Sequence, residues 1–270
     1  MRALKPSERT RVSLVELAGG VTLEGSPSAA TAVSARTGKE ESLTPSDEGG
    51  FIPTVSAAPE LLTLTWEVAG AAVTAQLDVV ASRYCSHDDV RGYRAEEYQL
   101  GDTPDEDVAE AIARAEEVIE HAAHRAFQPV CRTCTVDRPN CTPSTLAMTG
   151  DGTAADIRSV VRATGQDGEA VYVGCIDSCR LDVSNLPPRT FAEVVLIMGM
   201  DPTPSDVRSA VTALAAWYLS PSNRPENATS ESTDAGVLNF VIGGVDGAPT
   251  SLPEVNALIE RHGLRDWRVG

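Results

Sequence analysis

"TPDEDVAEAIARAEEVIEHAAHRAF", residues 103–127, is the stretch on which the fold class turns. Thr103-Pro104-Asp105-Glu106 has the form of a capping box with proline at the first helical position, and acidic residues crowd the positive end of the helix dipole. Val108, Ala111, Ile112, Ala115, Val118, Ile119 and Ala122 keep helical spacing to about Phe127. One face is therefore expected to be buried. The other, carrying Glu110, Glu116, Glu117 and Glu120, is expected to be wet or to face an aqueous passage.

On both sides of this helix the pattern changes to β. Upstream, "RVSLVEL" (11–17), "GGFIPTV" (49–55) and above all "LLTLTWEVAGAAVTAQLDVV" (61–80) carry strand signals; Leu62, Leu64, Trp66 and Val68 alternate before a small-residue turn at Gly70. The intervening "GSPSAATAVSARTGKEESLTPSDEGG" (25–50) reads as a long loop or weak strands. Asp88 and Asp89 read as caps of a short helix. Downstream, "CRTCTVD" (131–137), "DIRSVVRATGQDGEAVYVG" (156–174) with its Asp167-Gly168 turn, and "FAEVVLIMG" (191–199) predict three to five strands. A second capped helix is expected from Thr203-Pro204-Ser205-Asp206, burying Val207, Ala210, Val211, Leu214 and Tyr218. A third is expected from Ser251-Leu252-Pro253-Glu254, with Val255, Leu258 and Ile259 on one face and Gly263 as its stop.

The expected class is α+β: a small bundle of about three capped helices with an inserted antiparallel β region (about 129–198), preceded by a β-rich N-terminal region. The expected division is residues 1–100 and residues 101–270, the latter ending in an arm and tail over 220–270. A chain of 270 residues that is 42% hydrophobic can build a real core.

No run approaches the ~20 apolar residues of a membrane span. The start "MRALKPSERTRVSL" has charge but no apolar leader segment, so the chain is expected to stay in a cytosol. For the same reason Asn140-Cys141-Thr142 and Asn227-Ala228-Thr229 are not expected to be glycosylated, and a secreted adhesion module is disfavoured. Charge is strongly acidic, with 39 acidic against 22 basic residues and a net −17. It is uneven: Asp105 to Glu120 holds seven acidic residues and one arginine, whereas Arg261, Arg265 and Arg268 face a single Asp266 in the last ten. Such a balance repels nucleic acid rather than gripping it.

Six cysteines (Cys85, Cys131, Cys134, Cys141, Cys175, Cys179) have spacings that could outline a zinc site. Residues three apart on a strand point to opposite faces, however, so Cys131 and Cys134 read better as small hydrophobes; a disulfide stays open if the protein ends up outside a cell. His87, His121, His124 and His262 are scattered. His121 and His124, with Cys85 and His87, would be the material for a metal hydrolase, but no motif places a general base, and no phosphate loop, dinucleotide fingerprint or nucleophile elbow occurs. Neither catalysis nor a cofactor or metal is expected.

"AWYLSPSNRPENATSESTDAG" (216–236) leaves the second helix through Trp217 and Tyr218 into a polar tract that cannot bury enough apolar surface to order itself. A strand-like "GVLNFVIGG" follows. The order of a helix ending in "RAF", a β insertion, "FAEVVLIMGMDPTPSDVRSAVTALAAWYL", "RPENATSESTDAG", a hydrophobic strand and "SLPEVNALIERHG" resembles the head-to-tail adaptor (head-completion, connector) proteins of long-tailed, siphovirus-type phages, especially of actinobacterial hosts. The resemblance covers roughly Thr103 onward. It implies a virion neck protein, assembled in the host cytoplasm as a ring of about twelve copies beneath the portal protein and around the DNA channel. The next partner down would be a stopper or tail-terminator protein. The alternatives are a stopper or other neck ring, and behind these a Cys/His metal enzyme.

Within that frame the polar tract becomes an inter-subunit arm, with Trp217, Tyr218, Arg224, Pro225, Thr229, Ser230 and Phe240 as its contacts and the strand pairing with a neighbour's edge. Glu110, Glu116, Glu117 and Glu120 become channel-facing acids, and about twelve copies sum to roughly −200 formal charges around the conduit. "LRDWRVG" (264–270) combines Leu264, Arg265, Trp267 and Arg268 in one short segment; tryptophan and arginine dominate interface energies, which marks it as a portal-docking tail.

Overall fold

The computed structural model describes residues 3–46, 49–55, 57–138, 145–147, 156–220, 230–233, 236–239 and 249–263. In chain order the elements begin β1 (Arg9–Ser13), α1 (Leu14–Ala18), β2 (Ala30–Ser34), β3 (Glu40–Leu43), β4 (Glu60–Val68) and β5 (Ala71–Val80). Three helices follow, α2 (His87–Gly92), α3 (Ala95–Tyr98) and α4 (Asp105–Ala123), and then β6 (Val130–Asp137), β7 (Thr145–Ala147), β8 (Ile157–Gly165), β9 (Gly174–Asp177), β10 (Arg180–Asp182) and β11 (Phe191–Met198). The last are α5 (Ser205–Leu219), β12 (Ser230–Thr233), β13 (Gly236–Asn239) and α6 (Pro253–His262). The class is α+β.

Contacts divide the chain into two compact units. Residues up to Arg83 together with Ala126–Pro202 form a β unit; Tyr84–Arg125 together with the described residues from Thr203 onward form a helical unit. This differs from a boundary near residue 100, because the inserted strands belong with the N-terminal β region. Alternation says that a strand has a buried face, and not which partner buries it.

In the β unit, a five-stranded sheet runs in the order β1-β5-β4-β2-β3, antiparallel except for the β1–β5 pair. The β4–β5 hairpin closes with Val68 opposite Ala71, and its two turn residues, Ala69 and Gly70, both have positive φ (51° and 82°). That is the turn whose twist matches paired strands. Leu62, Leu64 and Trp66 on β4 and Ala75, Leu77 and Val79 on β5 share one core, and the Trp66 indole N–H donates to the Glu24 carbonyl at 3.0 Å.

Two of the upstream strand readings are corrected. "RVSLVEL" is a strand only to Ser13, because the Ser13 hydroxyl and the Glu16 carboxylate make a reciprocal capping box that starts α1. "GGFIPTV" forms a single bridge, Phe51 to Val21, with Phe51 packed into the core by its ring rather than held in a ladder.

A three-stranded sheet in the order β6-β11-β8 is buried on both faces. Val136, Val194 and Leu196 meet Leu181 and Val183 on one side; Cys131, Val195 and Ile197 meet Leu61 on the other. The turn after β8 is made by Gly165 to Glu169 with Gly168 at φ 83°, but the returning chain gives only the bridge Thr164–Ala170. The chain then enters a separate sheet, β7-β10-β9.

The helical unit packs α4 against α5 and α6, and α2 against α4 and α5. Ser86 and Asp89 cap α2 reciprocally, as the acidic pair suggested for Asp89. The other caps are corrected: Pro104 and Pro204 are themselves the N-cap residues of α4 and α5, so Thr103 and Thr203 stand one place too early to cap. Ahead of α6 the N-cap is Leu252 rather than Ser251 and has no side-chain cap bond; the Thr250 hydroxyl accepts the Leu252 N–H at 3.2 Å, and the Asn256 amide accepts the Thr250 N–H and donates to the Thr250 carbonyl, both at 2.9 Å. Pro253 occupies the first turn of α6. Helix α4 ends at Ala123, short of Phe127, because His124 takes a left-handed conformation (φ 53°).

Candidate functional site

Among the described residues, the acidic face of α4 and the aromatic pair at the end of α5 lie on the helical unit. Along α4, Glu110 and Glu117 are exposed. Glu116 is the correction: it is only 1% exposed and accepts the Tyr84 backbone N–H at 3.1 Å, so it cannot face a channel. The reason is helical phase, since Glu116 stands four residues after Ile112 and three before Ile119 on the buried stripe. Glu120, at the edge of that stripe, is half-buried and accepts the Tyr84 hydroxyl.

At the end of α5, Trp217 is 37% exposed while Tyr218 is half-buried, their rings 5.5 Å apart and edge-on. The Arg114 guanidinium lies 4.3 Å from the centre of the Tyr218 ring. Burial pushes the Tyr218 phenol up, with Arg114 pulling it the other way. Arg114 is the residue that sequence reasoning passed over. It is the single base in the acidic run of α4, and what it meets lies about a hundred residues further on, beyond any spacing rule.

Of the other arm residues, Ser230 begins β12, which pairs antiparallel with β13, so the strand has a partner within its own chain. Arg224, Pro225, Thr229 and Phe240 lie outside the described residues, as do Leu264, Arg265, Trp267 and Arg268, Cys141 and both glycosylation-type triplets.

Among the described residues no three His, Cys, Asp or Glu side chains are grouped so as to hold a metal ion. His121 and His124 stand with ring centres 6.2 Å apart; Cys85 is buried, and His87 is turned to Asp105 at 3.5 Å. Cys131 and Cys134 fall in different clusters on opposite faces of β6, as strand parity requires. Burial, with Glu60 and Asp78 near, pushes the Cys131 thiol up to about 12. Cys175 and Cys179 are exposed on the β9–β10 hairpin and both donate to Asp177, one to its carbonyl at 3.2 Å and one to its carboxylate at 3.4 Å. Burial raises the first thiol and the Asp177 bond raises the second, so both are held away from the thiolate that binds metals.

The chain matches no known protein-family model and no curated protein sequence. No helix among the described residues is long and apolar enough to cross a membrane.

Proposed function

We propose that the chain is a structural subunit of a phage head-to-tail connector: an adaptor, one of about twelve copies in a ring beneath the portal, through which genomic DNA passes without sequence-specific contact. The observation that supports this most is the make-up of the helical unit. Helices α4 and α5 pack together although the strands between them belong to the other unit, and α5 ends on an exposed tryptophan where the polar tract begins. That is the chain order on which the resemblance to adaptor proteins rests.

Each copy carries a formal −17, and a wall of such copies repels the DNA backbone, with Glu110 and Glu117 as the outward acids of α4. Trp217 and Tyr218 would meet the neighbouring copy, the segment 264–270 would dock on the portal, and the downstream face would receive a stopper or tail-terminator ring.

Mixing the purified chain with portal rings and imaging the product by electron microscopy tests this. A ring of added density on one end of the portal is expected, and it should be lost on deletion of residues 264–270 with the melting temperature almost unchanged. Binding to a tail-terminator ring but never to a portal would make the protein a stopper instead. Failure to join any neck component would end the reading.

A further inference from the structure

Among the described cysteines, Cys85 and Cys131 are buried and Cys134 is half-buried, whereas Cys175 and Cys179 are exposed. The exposed two share one turn. Where β9 pairs with β10, Asp177 stands opposite Arg180 and Cys175 opposite Leu181, so Ile176 is an extra, bulging residue and Ser178 and Cys179 form the tip. Asp177 gathers the donors of this turn. Its carboxylate accepts the Cys179 N–H at 3.0 Å, the Cys179 thiol at 3.4 Å and Arg180 Nε–H at 2.7 Å, and its carbonyl accepts the Cys175 thiol at 3.2 Å. Both sulfurs therefore stop at oxygens of one residue.

Packing does not explain the pair. The hairpin is anchored through Leu181, with Val183 just beyond it, and neither sulfur enters that core. A thiol left in water is uncommon because cysteine behaves as a small hydrophobe. Among the described residues no third ligand joins the two to hold a metal ion, so what they can do is bond to each other. A disulfide requires Cα atoms within about 7 Å and sulfurs that can turn to about 2.05 Å, and a tight turn keeps residues on its two sides close.

We propose that Cys175 and Cys179 are a redox pair that closes to a disulfide and latches the β9–β10 turn. The oxidant is a small disulfide such as oxidised glutathione. The thiolate of one cysteine attacks a sulfur of that disulfide, whose S–S bond breaks and releases one glutathione thiolate; the second cysteine then attacks the mixed disulfide at the protein's sulfur and releases the other. Two thiol protons pass to the two leaving thiolates, and the pair gives up two electrons. In a glutathione-reduced cytosol the turn holds two thiols, and in an oxidising medium one disulfide. Because both thiols are held in the S–H form, closure is slow at neutral pH and quickens as pH rises. None of this depends on a place in a phage connector.

The test equilibrates the purified chain with about equal millimolar reduced and oxidised glutathione, quenches with acid, labels free thiols and maps tryptic peptides by mass. No Lys or Arg lies between Arg162 and Arg180, so both cysteines fall in the peptide Ala163–Arg180. In the parent chain most of that peptide should lack two hydrogens and carry neither label nor glutathione. Cys175→Ser and Cys179→Ser, both at exposed positions, should keep the parent's melting temperature and carry glutathione on the remaining thiol instead. Closure should slow amide exchange of Ser178 to Arg180 by about tenfold, reversed by reductant and absent in both variants. A parent peptide that carries glutathione or two labels overturns the proposal, as does a disulfide from either cysteine to another peptide or to a second chain. Closure with unchanged exchange removes the latch.

Discussion

Strand β11 and helix α4 are the central pieces of the two units, and they are buried in opposite styles. β11 is covered on both faces: Val194 and Leu196 enter one core, Val195 and Ile197 another, and "VVLIM" shows no polar alternation. α4 buries one stripe and leaves Glu110 and Glu117 in water. The difference teaches where a polar residue is informative. On a two-faced strand the absence of polar residues reveals burial without naming the partners. On a one-faced helix a charge such as Glu116 can sit inside the stripe, provided that a backbone donor meets it.

The contrast is sharpest in the cores. Leu196→Ala and Ile197→Ala should each cost about 2–5 kcal/mol in chemical denaturation, despite pointing to opposite faces. A near-neutral result for either would mean that its face of β11 is wet.

Next comes Glu116→Ala. Removing the carboxylate leaves the Tyr84 N–H without that acceptor and opens space in the stripe, for a loss of about 2–4 kcal/mol, whereas Glu117→Ala one position on should stay within about 0.5 kcal/mol. Equal effects at the two positions would break the assignment of helix phase.

Within β6, Cys131→Ser should cost about 1–3 kcal/mol because it places a hydroxyl in a buried apolar cluster, and the half-buried Cys134→Ser less than about 1 kcal/mol. Elemental analysis of both variants and the parent should show the same metal content. At the end of α5, Arg114→Ala should remove about 0.5–1 kcal/mol of packing on Tyr218, seen as a small drop in melting temperature.

The smallest effect is on the exposed β9–β10 turn. The Arg180 guanidinium, then the Cys179 N–H, hold the Asp177 carboxylate at about 2, below its ordinary 3.8. The folded value is the lower one, so the contribution of this carboxylate is complete above about pH 4 and is lost as pH falls through about 2. Carboxyl NMR titration should find that midpoint, and Arg180→Ala should raise it.

Much of the local structure was legible in the residues themselves. The β4–β5 hairpin, the buried stripes of α4 and α6, the stop at Gly263 and the opposite facing of Cys131 and Cys134 all follow from periods of 2 and 3.6 and from turn chemistry, which act over a few residues. The caps slipped by one position because proline at the start of a helix suits both the cap and the first turn, and only the hydrogen bonds distinguish them.

What tertiary structure alone decided is which surfaces meet. That β6, β8 and β11 join the N-terminal strands, that Glu116 is an inside residue held by Tyr84, that Arg114 lies over Tyr218 and that Asp206 ties the end of α6 are pairings across tens to more than a hundred residues. Periodicity assigns a face to each residue but no partner to the face; the partner is selected by packing the whole chain at once, where burial of every apolar face and satisfaction of every buried polar group must hold together.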